Sequence, residues 1–246
     1  MALLSFEGVG KRYRRWGRDV VVLDDVRLDV DPGDFVGVWG SRRAGKSTLL
    51  RLAAGIELAD TGVVRFDGRD LSQVSSRERA RLWRRDIGFV SPERRPGPVE
   101  QVVAHVAMPL VSDGWAPDEA AAAARRTLDR VDAAGCAHAA TYELSPGEQT
   151  LVALARALIR QPRLLLVDEP AITQSPSERD RICEVLRSVG RQPELTAIVA
   201  SEDLSPLRAA GRMMSVGEGR VLLADQPGTV VPFPAGSSRS AGSSWP

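Results

Sequence analysis

The stretch "VWGSRRAGKSTLLRLAAG", residues 38–55, has the residue types and spacing of a phosphate cradle. Gly40, four further residues, then Gly45-Lys46-Ser47 fit G-x-x-x-x-G-K-[ST], behind a short apolar run and ahead of a helical one. In such a loop the backbone N–H groups of Gly40, Ser41, Arg42, Arg43, Ala44 and Gly45, and of Lys46, Ser47 and Thr48 at the helix start, wrap a phosphate chain. The Lys46 ammonium then reaches the outer phosphates, and the Ser47 hydroxyl ligates Mg²⁺. The chain has only two lysines, Lys11 and Lys46, which makes a chance match rare. Where arginine is otherwise preferred, lysine marks a need for a compact point charge. Arg42 and Arg43 stand where such loops usually carry small residues.

The second half of such a site is an acid at the end of a buried strand. In "LLLVDEP" (164–170) Asp168 suits the role of holding Mg²⁺ through water, and Glu169 beside it could polarise an attacking water. Between loop and acids lies "LSPGEQ" (144–149). There Ser145 can cap a helix, Glu148 three residues later completes a capping box, and Pro146 takes the first helical position.

These residues need a scaffold, and the hydrophobic pattern supplies one. Residues 20–30, 35–39, 61–68, 86–90, 163–170 and 196–201 read as strands, and 213–224 as a closing pair. Residues 76–85, 99–110, 117–133, 145–161 and 177–189 read as helices, and 91–98, rich in proline, as a loop. Short apolar strands alternating with helices predict an α/β core with a mainly parallel sheet, and 91–160 an inserted helical lobe. Residues 1–225 read as one nucleotide-binding domain. From Gln226 the composition turns to Pro, Gly and Ser, which predicts a disordered tail over 226–246.

Composition excludes several classes. With 246 residues, 43% hydrophobic and 26% charged, the chain can bury a full core. A net charge of +1 sets up no field toward nucleic acid or acidic lipid. The richest apolar run, 102–111, is about half the ~20 residues that a membrane helix needs. Cys136 and Cys183 lie far apart without a CxxC, and His105 and His138 lack ligand partners at useful spacing. The reading is a cytosolic protein with no nucleic-acid partner.

The phosphate loop, "LSPGEQ" and "LLLVDEP" occur in the order seen in ATP-binding-cassette (ABC) ATPases, which the chain resembles over residues 3–224. "RRDIGFV", "VAMPL" and "ELSPGEQ" are closest in wording to the macrolide-export, lipoprotein-release and cell-division branch. The resemblance implies a P-loop NTPase core with an antiparallel β subdomain and a helical subdomain, ATP and Mg²⁺ as ligands, and a membrane permease as partner. It implies a peripheral place on the cytoplasmic face of the membrane. It also implies head-to-tail pairing with a second ABC ATPase subunit, in which one chain's signature (Ser145, Gly147, Glu148) closes over ATP in the other's loop. Tyr13 matches the aromatic platform for adenine. Pro146 replaces the usual first glycine of the signature and removes one N–H that could face phosphate.

Three positions depart from the family. A glutamine that normally touches Mg²⁺ and the attacking water is replaced by Pro92, and neither Ser91 nor Glu93 is an equivalent amide. After "DEP" the segment "AITQSPSE" puts Ser175 where an aspartate usually communicates across the dimer. A switch histidine at the γ-phosphate becomes Glu202, a carboxylate that would repel phosphate unless paired, with Arg42 or Arg43 as the expected partner. Weakened hydrolysis follows, and with it an asymmetric, heterodimeric pair is favoured over a homodimer. The rival reading is a regulatory or structural ATP-binding module beside a competent ATPase. An unrelated phosphate-loop kinase or GTPase would give no reason for "LSPGEQ".

Overall fold

The computed structural model describes residues 1–92, 101–171 and 175–223. Glu93 and the rest of the predicted 91–98 loop beyond Pro92, residues 172–174 of the segment after "DEP", and the tail predicted over 226–246 lie outside these residues.

In chain order the elements are β1 (Leu4–Arg15), β2 (Arg18–Val30), β3 (Phe35–Trp39), α1 (Lys46–Ala53), β4 (Thr61–Phe66), β5 (Arg69–Asp70), α2 (Ser76–Arg85) and β6 (Ile87–Val90). They continue with α3 (Val102–Ser112), α4 (Pro117–Arg130), α5 (Pro146–Leu158), β7 (Leu164–Asp168), α6 (Pro176–Gly190), β8 (Thr196–Ser201), β9 (Arg212–Gly217) and β10 (Arg220–Leu223). The pattern did not predict β1, although Leu4 and Phe6 alternate with Ser5 and Glu7 and are buried. Its second half is basic and largely outside the core, with Lys11 and Tyr13 half-buried, which hides the period. The helix expected at 99–110 begins, among the described residues, at Val102 and runs past Pro109 to Ser112.

Two sheets organise the chain. An antiparallel sheet has the order β2-β1-β4-β5, and a larger one the order β10-β9-β3-β8-β7-β6, in which all neighbours except β9 and β10 run parallel. Parallel strands covered on both faces read as continuous apolar runs, and "LLLVD" of β7 is buried throughout. The period of two still sorts the side chains. Val36, Val38, Leu164, Leu166 and Ile198 face a core shared with α1 and the antiparallel sheet. Phe35, Leu165, Val167, Ala197 and Val199 face the other core, shared with α3 to α6. Truncating one of the fully buried leucines to alanine costs about 2–5 kcal/mol in such a core. The register Trp39↔Ser201 and Asp168↔Ala200 brings the C-terminal ends of β3, β8 and β7 side by side. The loops leaving those ends carry the predicted chemistry.

Candidate functional site

The loop from β3 to α1 closes by a turn in which Ala44 N–H donates to Ser41 O at 3.1 Å. Arg43 lies in the left-handed region at φ 65°, and Gly45 at φ 110°, where a side chain would be strained and a Cβ would meet Val22 O at 2.9 Å. Arg42 and Arg43 point to solvent. Lys46, only 4% exposed, opens α1, and its Nζ donates to Gly40 O at 2.7 Å and Ser41 O at 3.0 Å. The ammonium is thus folded back across its own loop.

Two carboxylates meet it there. Glu169 Oε1 is 3.0 Å from Lys46 Nζ, and Glu202 Oε1 is 3.9 Å away. Glu169 holds a left-handed backbone at φ 46°, its N–H donates to Ala200 O at 2.8 Å, and its Oε2 accepts the Glu202 N–H at 3.1 Å. The expectation that Arg42 or Arg43 pairs with Glu202 is therefore corrected. The cation facing Glu202 is Lys46, because the two arginines sit on the outward limb of the loop while β3 and β8 are neighbours.

Asp168, at the end of β7, is 4% exposed. Burial pushes its carboxyl above the ordinary range, opposed by a hydrogen bond from the Ser47 hydroxyl. Its Oδ1 is buried with no hydrogen-bond partner among the described residues. A desolvated carboxylate with one free oxygen beside a hydroxyl is the donor set that a hard divalent cation takes. Asp168 and Ser47 therefore fit Mg²⁺.

Tyr13 comes to lie against α1, where its hydroxyl donates to Glu57 and stands 3.4 Å from Thr48 Oγ1. Burial and Glu57 raise its pKa. Lys11 Nζ sits 5.6 Å over the ring, so one face is already used. Sequence reasoning missed Glu57 and Lys11, since neither belongs to a motif.

Ser145 caps α5 as expected. Its Oγ accepts the Glu148 N–H at 3.2 Å, and the Glu148 carboxylate accepts the Ser145 N–H at 2.8 Å. Glu148 Oε1 also takes the Cys136 thiol at 3.3 Å, so this carboxylate is turned inward as a cap. Ser145 Oγ donates to Glu178 Oε1 at 2.6 Å, and Gly147 N–H to the same oxygen at 3.2 Å. Among the described residues no hydrogen bond joins Ser145 or Gly147 to the 40–48 loop. Ser175, at the aspartate position, caps α6, and its N–H and Oγ donate to Glu178 Oε2 at 3.1 and 2.9 Å. Glu178 was missed, although "SPSE" repeats the spacing of "SPGE" and signals a capping box. Pro92 follows β6 and is exposed.

A family model described as ABC transporter matches residues 23–172. The chain is 35% identical over 224 residues to the lipoprotein-releasing system ATP-binding protein LolD 2 of Caulobacter vibrioides, covering 90% of this chain and 97% of that one. The chain belongs to the ABC transporter family, as its ATPase domain. A second ABC relative, LolD of Nitratidesulfovibrio vulgaris, is 32% identical over 219 residues, 89% of this chain and 94% of that one. These names agree with the lipoprotein-release wording read in the sequence. The ABC fold is seen again in the cassette MJ0796, solved as a dimer in a post-hydrolysis state with ADP and Pi. The TM-score is 0.82 at 25% identity, over 89% of this chain and 96% of that one. The α/β core with a mainly parallel sheet, an antiparallel sheet and added helices is thus established.

Proposed function

We propose that the chain is the ATP-binding subunit of an ABC transporter complex, which binds Mg-ATP and couples binding and weakened hydrolysis to a separate membrane permease. In this reading residues 1–225 form the cassette, with a helical subdomain over about 91–160, and 226–246 an appended tail. Backbone N–H groups of residues 40–48 cradle the phosphates, and Lys46 gives up its loop carbonyls for them. Ser47 and Asp168 hold Mg²⁺, which supplies positive charge to the phosphate oxygens when bound. Glu169, oriented by the Glu202 N–H, accepts a proton from the attacking water, and Tyr13 supports the adenine.

The observation that carries the reading is the pair of carboxylates on Lys46 at 3.0 and 3.9 Å. Glu169 is retained where catalysis needs a base, and Glu202 puts a second negative charge beside the phosphates. Losing a charge-stabilising group commonly lowers a rate by 10²–10³.

Relatives named as parts of lipoprotein-releasing systems, and a dimeric cassette among the solved structures, support two partners, a permease and a second cassette. Pairing with a more competent cassette is favoured, because Pro92, Ser175 and Glu202 all depart from the family together. Among the described residues no helix is long and apolar enough to cross a membrane, which suits a subunit held at the cytoplasmic face through its permease. The same three departures favour a second reading, a regulatory module whose closure on ATP matters more than turnover.

ATP turnover by the purified chain, alone and with its partner cassette, tests these readings against Glu169→Gln. Slow turnover that the substitution abolishes supports the first. Activity only with the partner, unchanged by Glu169→Gln, supports the second. Brisk activity of the chain alone overturns the weakened motor.

A further inference from the structure

The signature of this chain is already occupied by an anion of its own. Glu178 Oε1 accepts the Ser145 hydroxyl at 2.6 Å and the Gly147 N–H at 3.2 Å. These are the two donors that remain at the start of α5, since Pro146 has no N–H. A helix N-terminus with a free hydroxyl and N–H attracts phosphate, and a carboxylate satisfies the same donors. The other oxygen of Glu178 is tied to Ser175 N–H and Oγ, at the position where the family carries an aspartate. The approach is close, for a Cβ on Gly147 would lie 2.7 Å from the Glu178 carboxyl carbon. The first turn of α6 therefore plugs the first turn of α5.

We infer that Glu178 is a built-in competitor for the nucleotide phosphate of a partner cassette, so that closure of a dimer over ATP must first expel this carboxylate from Ser145 and Gly147. The inference rests on the proposal that Ser145 and Gly147 meet a partner's ATP. It adds a threshold. Charge-assisted hydrogen bonds are roughly twice as strong as neutral ones, and an incoming phosphate recovers only the difference between its own bonds and those of Glu178. Expulsion also frees the Ser175 end of the bridge, so the contact couples signature engagement to the segment after Glu169.

The plug itself is read on the Gly147 amide of the full chain by NMR, with orthophosphate as the probe, in wild type, Glu178→Ala and Glu178→Gln. The glutamine keeps a capping-box acceptor for α6 should the alanine variant unfold. The expected result is a saturable Gly147 shift in the variants, at a phosphate concentration at least tenfold below any response of the wild type. An equal response in wild type and variants, or none in any of them, overturns the plug. ATP-driven association with the partner cassette is measured in parallel for Ser145→Ala. If this variant associates as wild type does, the role proposed for the signature fails, whatever the Gly147 amide reports.

Discussion

Lys46 Nζ stands 3.0 Å from Glu169 Oε1, so the ammonium of the phosphate loop and the carboxylate proposed as the base form one ion pair. Both side chains are nearly buried, at 4% and 11% exposure, so the pair is little screened. Under the proposed function, nucleotide binding is an exchange of partners. The phosphates would take the ammonium and free the carboxylate, still held by the Glu202 N–H at 3.1 Å, toward water.

Neutralising Glu169 should therefore act on two quantities in opposite directions. Glu169→Gln is expected to lower turnover by 10²–10³-fold. It is expected also to tighten ATP binding several-fold, because Lys46 no longer has to leave a full negative charge. Single-turnover rates and equilibrium titration with a fluorescent ATP analogue check the two halves.

Glu202 is 38% exposed at the rim of the same cluster. Replacing it by histidine removes an anion and offers a donor at the end of β8. The expected outcome of Glu202→His is a rise in kcat of at least tenfold together with tighter ATP binding, measured by steady-state phosphate release and equilibrium titration. A kcat that stays flat means that Glu202 does not limit the rate.

Asp168 makes a prediction about the chain without nucleotide. Burial raises its carboxyl pKa, so its ionised form is disfavoured in the folded state and stability falls as pH rises through that value. Asp168→Asn should raise the melting temperature in EDTA at neutral pH, by about 2–4 °C for each kcal/mol recovered. The stabilisation by Mg²⁺ with ATP should largely disappear. Differential scanning fluorimetry in both buffers reads both effects.

Glu178 behaves in the opposite sense. The Ser145 hydroxyl, then the N–H and hydroxyl of Ser175, hold its pKa down from the ordinary 4.5 to about 2. With the folded value below the unfolded one, its contribution is complete above pH 4.5 and is lost as the pH falls toward 2. Solvent screening limits it to on the order of 1 kcal/mol. Acid unfolding curves of wild type and Glu178→Gln should thus differ at pH 6 and converge near pH 2. Parallel curves would show that the bridge adds nothing to stability.

Much of this architecture could be read from residues alone, where one physical period or motif dominates. Gly45-Lys46-Ser47 at the start of α1, the buried run ending in Asp168, and the Ser145–Glu148 box each carry their local structure in local spacing. β1 escaped because its apolar alternation lasts only from Leu4 to Phe6 before a bulged, basic half takes over. The neighbours of Lys46 escaped for another reason. Arg42 and Arg43 lie within four residues of it in sequence, yet Glu202 reaches it through the parallel pairing of β3 with β8, across more than 150 residues. Glu178 was legible as a helix cap, but its reach to Ser145 depends on how α5 packs on α6, which no local pattern encodes.

The side-by-side ends of β3, β8 and β7 have an evolutionary corollary. Position 202 lies just past the last residue of a strand whose interior is wholly buried, so its side chain can change without disturbing either core. Exchange of the residue at this edge therefore carries little folding penalty. A lineage can vary the side chain facing Lys46 while keeping the same cradle intact.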